Sequence, residues 1–289
     1  MYKSLEEIAQ VSQQKNIPFW QVILEDDCRE RMVSPEQSQK ELMAMYQAMK
    51  EADRAYDAKQ KSRSGMAGGN GQLFHDAVAS GQTICGPVIA SAIEKALKMG
   101  ESNACMKRIV AAPTAGACGV VPAVFLTMQE QRKIDDERMV EAMYIASGVG
   151  GVIASRAFLA GAAGGCQAEI GSASSMAAAG AVYLAGGGTD AIIHAAAMAM
   201  KNLLGLACDP VAGLVEVPCV KRNVVGAVNA LSAADMALAG IRSVIPPDEV
   251  FDAMRSIGIS LSDTIRETGK GGLAATTTGQ EIAQRLQNE

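Results

Sequence analysis

The amino-acid sequence predicts a mainly α-helical protein, built as a single compact multi-helix domain with a small-residue core and an N-terminal helical arm. Three observations support this fold class. Apolar residues recur at helical spacing, and helix-capping motifs precede several of these stretches. The alternation of apolar and polar residues that is typical of a half-buried strand is not found. Only residues 213–221, GLVEVPCVK, are typical of extended chain.

Residues 1–64 are expected to form the N-terminal helical arm. Within them, Ser34-Pro35-Glu36-Gln37 supplies a helix N-cap, a proline at the first helical position and a glutamine that can reach back to the cap. The apolar residues that follow keep helical spacing: Leu42, Met45, Tyr46, Met49, Ala52 and Tyr56. The glycine-rich stretch 62–71, SRSGMAGGNG, indicates the end of the arm, so residues 65–289 are expected to form the main domain.

Further helices are expected in the main domain, near residues 72–80, 86–99, 122–132, 135–149, 172–185, 189–205, 222–240, 247–257 and 278–287. Gly100 is expected to end one of them, and the capping box from Thr278 to Glu281 to begin the last. Between residues 142 and 200 the only charged residues are Arg156, Glu169 and Asp190. Such a composition is typical of a protein core.

Charge and hydropathy exclude several classes of protein. The net charge of −5 is spread along the chain without a basic block, so nucleic acid is not an expected partner. The N-terminal MYKSLEEIAQ lacks the pattern of a signal peptide. Residues 171–189 are uncharged but contain too few large apolar side chains to span a membrane. We therefore expect a cytoplasmic protein whose cysteines are reduced.

The seven cysteines fall into two groups. Cys28, Cys85, Cys105 and Cys118 are interpreted as ordinary free thiols. Cys166, Cys208 and Cys219 each border glycine or proline, where free backbone N–H groups favour sulfur with thiolate character. Three such ligands would form a metal site with one open coordination position, and an open position indicates a catalytic rather than a structural site. Four-ligand zinc spacing is absent, and simple burial of the three thiols remains the alternative.

Several long blocks of the sequence resemble the α subunit of bacterial iron–sulfur L-serine dehydratase, also called L-serine ammonia-lyase. The resemblance covers nearly the whole chain. It lies in APTAGACGVVPAV (112–124), GAAGGCQAEIGSASSMAAA (161–179), KNLLGLACDPVAGLVEVPCVKRN (201–223), NALSAADMALAG (229–240), IPPDEV (245–250) and RETGKGGLAATTTG (266–279). Family members often have Ser where Ala117 stands and Pro where Thr277 stands. Neither departure touches an expected cluster ligand.

This resemblance implies an activity, a cofactor and a partner. The family's three cluster cysteines fall on Cys166, Cys208 and Cys219, which would hold a [4Fe–4S] cluster. The main domain would be the catalytic domain of a lyase that converts L-serine to pyruvate and ammonia, in amino-acid degradation and gluconeogenesis. The Ser-Ser-Ser-His-Thr motif that single-chain relatives carry is absent. A separate β subunit would therefore supply it, together with the general base.

Two stretches are candidates for binding the substrate. Pro113 to Gly116 precedes an expected helix, and backbone N–H groups there suit a carboxylate, which makes Thr114, Ala115 and Gly116 candidates. Lys221, Arg222 and Asn223 follow Cys219 and could grip substrate or offset the charge of a cluster. A plain turn and a solvated basic pair are the respective alternatives. Glu169 is interpreted as a buried structural carboxylate.

Three other functions remain open at this stage. A cysteine desulfidase could use the same open cluster to eliminate sulfide. A zinc protein would need a fourth ligand such as His194, although this residue, like His75, is more simply explained as an ordinary helix histidine. A non-catalytic helical scaffold would leave the three thiols without a ligand. Gly68 and Gly69 could form a mobile cover for the site.

Overall fold

The computed structural model describes residues 2–288 and confirms the mainly α-helical fold. Within this range the chain forms thirteen α-helices and no strand longer than an isolated bridge. They are α1 (Leu5–Lys15), α2 (Phe19–Arg31), α3 (Pro35–Arg54), α4 (Asn70–Ala79), α5 (Pro87–Ala104), α6 (Val120–Arg132), α7 (Asp136–Arg156), α8 (Gly161–Gly164), α9 (Ser172–Leu184), α10 (Thr189–Lys201), α11 (Cys219–Leu238), α12 (Pro247–Ser260) and α13 (Thr277–Gln287). A π-helical turn, Gln167–Gly171, leads directly into α9.

Helix α9 lies at the centre of the molecule. Every residue of α9 except Tyr183 is buried, and α6, α7, α10 and α11 pack around it. Alanine, glycine and serine make up most of α9, so neighbouring helices approach its backbone closely; a Cβ on Gly180 would lie 2.3 Å from the ring of Phe125. This packing confirms the small-residue core. None of the helices in residues 2–288 has the length and hydropathy needed to cross a membrane.

Residues 2–64 contain the helices α1, α2 and α3, as expected, and the apolar faces of these helices join the same core. Leu5, Ile8, Tyr46 and Met49 are almost fully buried there. Asp248 on α12 fastens the beginning of α1, since its carboxylate accepts hydrogen bonds from Ser4 Oγ at 2.6 Å and Leu5 N at 2.9 Å. The division of the chain at residue 64 stays a prediction.

Local expectations about helix ends were partly wrong. Ser34 caps α3 as predicted, because its hydroxyl accepts from Gln37 N at 3.2 Å. Gly100 does not end α5; a Cβ there would lie 3.2 Å from Val220 Cα, so this glycine allows α5 to approach α11. The cap of α13 is Thr276 rather than Thr278. Residues 213–221 are not a strand, because Cys219 already begins α11.

The glycine-rich loop is anchored by a buried carboxylate on α5. Glu101 is 1% exposed and accepts N–H groups from Gly68 at 3.1 Å, Asn70 at 2.8 Å and Gly71 at 3.1 Å. The Tyr56 hydroxyl donates to it at 2.6 Å. Burial raises the pKa of the Glu101 carboxyl, but these hydrogen bonds outweigh burial and hold the pKa below its usual range. Such anchoring argues against a mobile cover.

Replacing Glu101 with alanine is expected to lower the free energy of unfolding by about 3 kcal/mol or more, because it leaves three buried N–H groups without an acceptor. Urea unfolding followed by circular dichroism measures the change. Glu101→Gln keeps one acceptor oxygen and should lose less. A loss below about 1 kcal/mol in the alanine variant would show that this carboxylate does not fasten the loop.

Candidate active site

Cys166 lies between the short helix α8 and the π-helical turn, and is 2% exposed. Gly165 before it has a φ of +76°, and a Cβ there would lie 2.9 Å from Leu206 O. The fully buried Gln167 after it donates to Met254 O at 3.0 Å and accepts from Gly205 N at 2.9 Å. The polypeptide on both sides of this thiol is therefore held in place.

Cys208 is held by the C-terminal part of the chain. Its N–H donates to Ile265 O at 2.8 Å, and its carbonyl accepts from Glu267 N at 2.7 Å. The side chain of the next residue, Asp209, accepts from Leu273 N at 2.8 Å and from Arg222 Nη2 at 2.8 Å. The thiol is 3% exposed. We call residues 263–275 the C-terminal strap, because they lie across Cys208 and Asp209.

Cys219 is the first residue of α11 and is 7% exposed. One turn later, Asn223 donates from Nδ2 to Gly116 O at 2.8 Å and to Cys219 O at 3.0 Å, and its Oδ1 accepts from Gly119 N at 2.8 Å. Asn223 thus joins α11 to the segment that contains Thr114 and Gly116. Both of its polar atoms are already used by the backbone.

The three thiols influence one another electrostatically. A hydrogen bond from Cys208 lowers the pKa of Cys166, and the positive charge of Arg222 acts in the same direction. Burial and the neighbouring Cys166 raise the pKa of Cys219 to about 12. The interaction with Cys166, followed by burial, also raises the pKa of Cys208. The structure therefore gathers three segments that are far apart in the sequence.

Arg222 joins two of these segments. Its guanidinium donates to Ala207 O at 2.6 Å and to Asp209 Oδ1 at 2.8 Å, and its positive charge favours the thiolate form of Cys166 by lowering the pKa of that thiol. A guanidinium with a rigid set of donors is suited to holding several acceptors in fixed positions. Arg222 therefore lies against the thiols, whereas Lys221 beside it is exposed to solvent.

The thiols are not gathered around one point. Within residues 2–288, no three His, Cys, Asp or Glu side chains form a group that could hold one metal ion. This arrangement disfavours a single zinc ion. A cluster does not need its ligands to meet at one point, because its sulfur ligands bind different iron atoms. Three buried thiols with nearby positive charge are a donor set that fits an iron–sulfur cluster.

Gly161 marks the place where the thiols meet polar side chains. A Cβ at this position would lie 2.8 Å from Cys208 Sγ, 2.9 Å from Glu169 Oε2 and 3.3 Å from Glu267 Oε2. The other carboxylate oxygen of Glu169 accepts from Thr114 Oγ1 at 2.7 Å. Burial and the nearby charge of Glu267 raise the pKa of Glu169. Thr114 and Glu169 therefore border the same space as Cys208.

The predicted carboxylate-binding segment lies beside Glu169. Gly116 packs against the Glu169 carboxylate, since a Cβ there would lie 3.0 Å from Oε1. Ala115 begins a short 3₁₀ turn and is exposed. Within residues 2–288, the N–H groups of Ala115 and Gly116 donate to no other protein group. They are available to an anion, and their role with substrate stays a prediction.

The two histidines have partners outside the thiol cluster. His75 is exposed, with Nδ1 3.2 Å from Glu94 Oε1. His194 Nδ1 accepts from Ser243 N at 3.2 Å, and its Nε2 lies 3.5 Å from Asp190 Oδ1. These contacts explain both histidines without a role in catalysis or in metal binding.

Comparison with known proteins identifies the family to which the chain belongs. The serine dehydratase alpha chain family matches residues 14–274. The chain belongs to this family. The family expected from the sequence blocks is thereby confirmed. A protein of Bacillus subtilis named "Probable L-serine dehydratase, alpha chain" is 43% identical over 286 residues, covering 99% of this chain and 95% of the relative. The L-serine dehydratase alpha chain of Peptoniphilus asaccharolyticus is 39% identical over 290 residues, covering 100% and 99% respectively.

Other relatives of this chain are longer proteins. L-serine dehydratase TdcG of Escherichia coli is 44% identical over 181 residues, which make up 62% of this chain but only 40% of the relative. L-serine dehydratase 2 of the same organism matches over 184 residues with the same coverage. These relatives therefore contain sequence beyond the part that they share with the alpha chain.

Several residues that shape the site escaped the sequence analysis. Gly161 and Glu267 lie inside blocks that carried the family resemblance, but nothing in their local pattern indicated that they meet near Cys208. Asp209 and Gln167 directly follow two of the cysteines, and this adjacency was a usable signal. A polar residue buried next to a metal-binding cysteine commonly orients it.

Proposed function

We propose that this chain is the α subunit of an L-serine dehydratase, a lyase that eliminates water from L-serine to give pyruvate and ammonia. The observation that carries the proposal is that three buried thiols, Cys166, Cys208 and Cys219, lie near enough to influence one another in a member of the serine dehydratase alpha chain family. The thiols are buried, and Glu169, which accepts a hydrogen bond from Thr114, lies beside Cys208 at Gly161.

We propose that the three thiolates hold a [4Fe–4S] cluster. When bound, an iron that lacks a protein ligand would supply Lewis acidity toward the hydroxyl group that leaves. The protein's own contribution starts with Arg222, whose positive charge offsets the negative charge of the thiolates. Asn223 is better suited to orienting the segment at Gly116 than to touching substrate, because its polar atoms are already bonded.

The substrate carboxylate would bind at the N–H groups of Ala115 and Gly116, next to the Thr114 hydroxyl. Lys221, on the exposed side of α11, would act at longer range by attracting the anionic group. The buried surroundings would exclude bulk water and strengthen these polar interactions. The remaining task is removal of the Cα proton, for which the α subunit offers no histidine near the thiols.

We propose that a β subunit supplies the general base and completes the active site. The naming of relatives as alpha chains and the existence of longer relatives support a two-chain enzyme. Reduced thiols suit the reducing cytoplasm, where such an enzyme would degrade amino acids and supply pyruvate for gluconeogenesis. A cysteine desulfidase remains the second candidate, because the space at Gly161 does not distinguish a hydroxyl from a thiol leaving group.

Anaerobic co-purification with the β subunit tests this function. We expect a brown complex with roughly four irons per α chain, the content of one [4Fe–4S] cluster, and pyruvate release from L-serine that exceeds release from L-cysteine. A colourless complex that still releases pyruvate would overturn the cofactor. An iron-containing complex that acts only on cysteine would replace the dehydratase with a desulfidase.

A further inference from the structure

We propose that Glu216, held by the hydroxyl groups of Ser62 and Ser64, is a positioning residue that sets the orientation of Cys219. This inference rests on the proposed role of Cys219 as a cluster ligand. It assigns a function to the loop at residues 62–67, which the sequence analysis interpreted only as a boundary. It also links the N-terminal part of the chain to the cofactor.

Two hydroxyl groups converge on one carboxylate oxygen. Ser62 Oγ and Ser64 Oγ each donate to Glu216 Oε2 at 2.6 Å. All three residues are more than nine-tenths buried. Hydrogen bonds to an ionised acceptor are stronger than those between neutral groups, and burial strengthens them further. The loop and the segment that leads into α11 are therefore tied together at this carboxylate.

The backbone of the loop orients both serines. Ser62 Oγ accepts from Ala67 N at 3.1 Å, and Ser64 Oγ accepts from Met66 N at 3.1 Å. Each hydroxyl thus uses its lone pairs within the loop and directs its proton to Glu216. Arg285 on α13 donates to Ser64 O at 3.1 Å, which adds the C-terminal helix to the same contact.

Within the described part of the chain, Glu216 is held by hydroxyl groups and not by a cation. Within residues 2–288, no lysine, arginine or histidine lies within ion-pair distance of this carboxylate, and its hydrogen-bond donors are the two serines. Burying a carboxylate without a cation is costly, so this arrangement is poorly suited to raising stability alone. It is well suited to fixing one chain segment relative to another, which is how groups around a metal centre orient its ligands.

The segment from Glu216 to Cys219 is short and directly coupled to α11. The Glu216 carbonyl accepts from Val220 N at 3.1 Å, the first backbone hydrogen bond along the start of the helix. Pro218 precedes Cys219 and provides no side-chain cap. Movement of the Glu216 side chain would therefore shift the first turn of α11, and the Cys219 thiol with it.

Iron release from the reconstituted full-length chain tests the proposal. The double variant Ser62→Ala, Ser64→Ala removes both donors, and we expect anaerobic transfer of iron to a ferrous chelator to become at least about tenfold faster, as is typical when a group that supports a metal ligand is lost. The electron paramagnetic resonance spectrum of the reduced cluster should also change. Glu216→Gln keeps an acceptor oxygen for both serines and should stay close to wild type.

The matched control is Glu101→Gln, which weakens the other anchor of the same loop, at Gly68 to Gly71, where the hydrogen bonds do not involve Glu216. We expect it to lower the urea midpoint while leaving iron release unchanged. If iron release follows the urea midpoint equally in all variants, or the double variant releases iron like wild type, the positioning role is wrong. The single variants Ser62→Ala and Ser64→Ala give the same comparison if the double variant does not fold.

Failure of the proposed function itself would look different. In that case the wild-type chain would bind no iron under reconstitution, which would overturn both the proposed cofactor and the role of Glu216. If the wild-type chain binds iron and the double variant releases iron at the same rate, the proposed function stands and only the role of Glu216 is overturned.

Discussion

Replacing Cys208 with serine is expected to abolish the cluster and to lower the rate of pyruvate formation by more than about 100-fold, the largest loss typical of groups that merely support a metal ligand. Cys208 is buried, lies against Cys166, and has no other thiol in place to substitute for it at the C-terminal strap. A serine hydroxyl is similar in shape but does not provide a soft thiolate. Iron content, visible absorbance and steady-state kinetics measure the effect.

The same substitution at Cys85 is the matched control, because Cys85 is an exposed free thiol whereas Cys166, Cys208 and Cys219 are buried. We expect Cys85→Ser to keep wild-type iron content and activity. Circular dichroism should show nearly unchanged helical content in both variants, since the main-chain bonds of Cys208 to Ile265 and Glu267 do not involve sulfur. Full activity in Cys208→Ser would refute its role as a ligand.

The Gly161→Ala variant is expected to lower kcat/KM by about 100-fold, a loss typical of a reacting group displaced by about 1 Å. The added Cβ would lie only 2.8 Å from Cys208 Sγ and 2.9 Å from Glu169 Oε2, so at least one of these groups must move. Gly161 does not have a positive φ, and alanine is therefore compatible with its backbone. The effect should be local to the site.

Gly188→Ala provides the comparison for Gly161→Ala. A Cβ on Gly188 would meet no atom within 4 Å, and its φ of −83° is open to alanine. We expect this variant to keep wild-type kinetics and iron content. Wild-type kcat/KM for L-serine in Gly161→Ala would mean that the space beside Cys208 and Glu169 is not where substrate reacts.

The fold class could be predicted from the sequence because helix signals are local. The Ser34 cap and the helical spacing after it need only neighbouring residues, and both appear in α3. Gly100 was misjudged because its reason lies in another helix: the backbone of Val220 approaches it closely. The extended interpretation of 213–221 failed for a related reason, since its apolar residues pack at the start of α11 rather than on a sheet.

The sequence predicted which cysteines belong to the site but not which other side chains surround them. Glycine and proline beside Cys166, Cys208 and Cys219 distinguished these thiols from the others, but no local pattern showed what surrounds them. Glu216 and Ser62 are 154 residues apart, and their meeting depends on tertiary packing. Asn223 was grouped with Lys221 because the two are close in the sequence. On helix α11, however, Asn223 is buried and bonds to the backbone of Gly116, whereas Lys221 is exposed to solvent.

The C-terminal strap has a consequence for the order of events during biosynthesis. The main chain of Cys208 is paired with Ile265 and Glu267, and Asp209 is paired with Leu273, so their partners are synthesised only after about fifty further residues. Domains usually begin folding while the ribosome is still working. Here the Cys208 thiol cannot reach its final position until the C-terminal strap has been synthesised and has paired with it, so a cofactor held by this thiol would be bound only after that step.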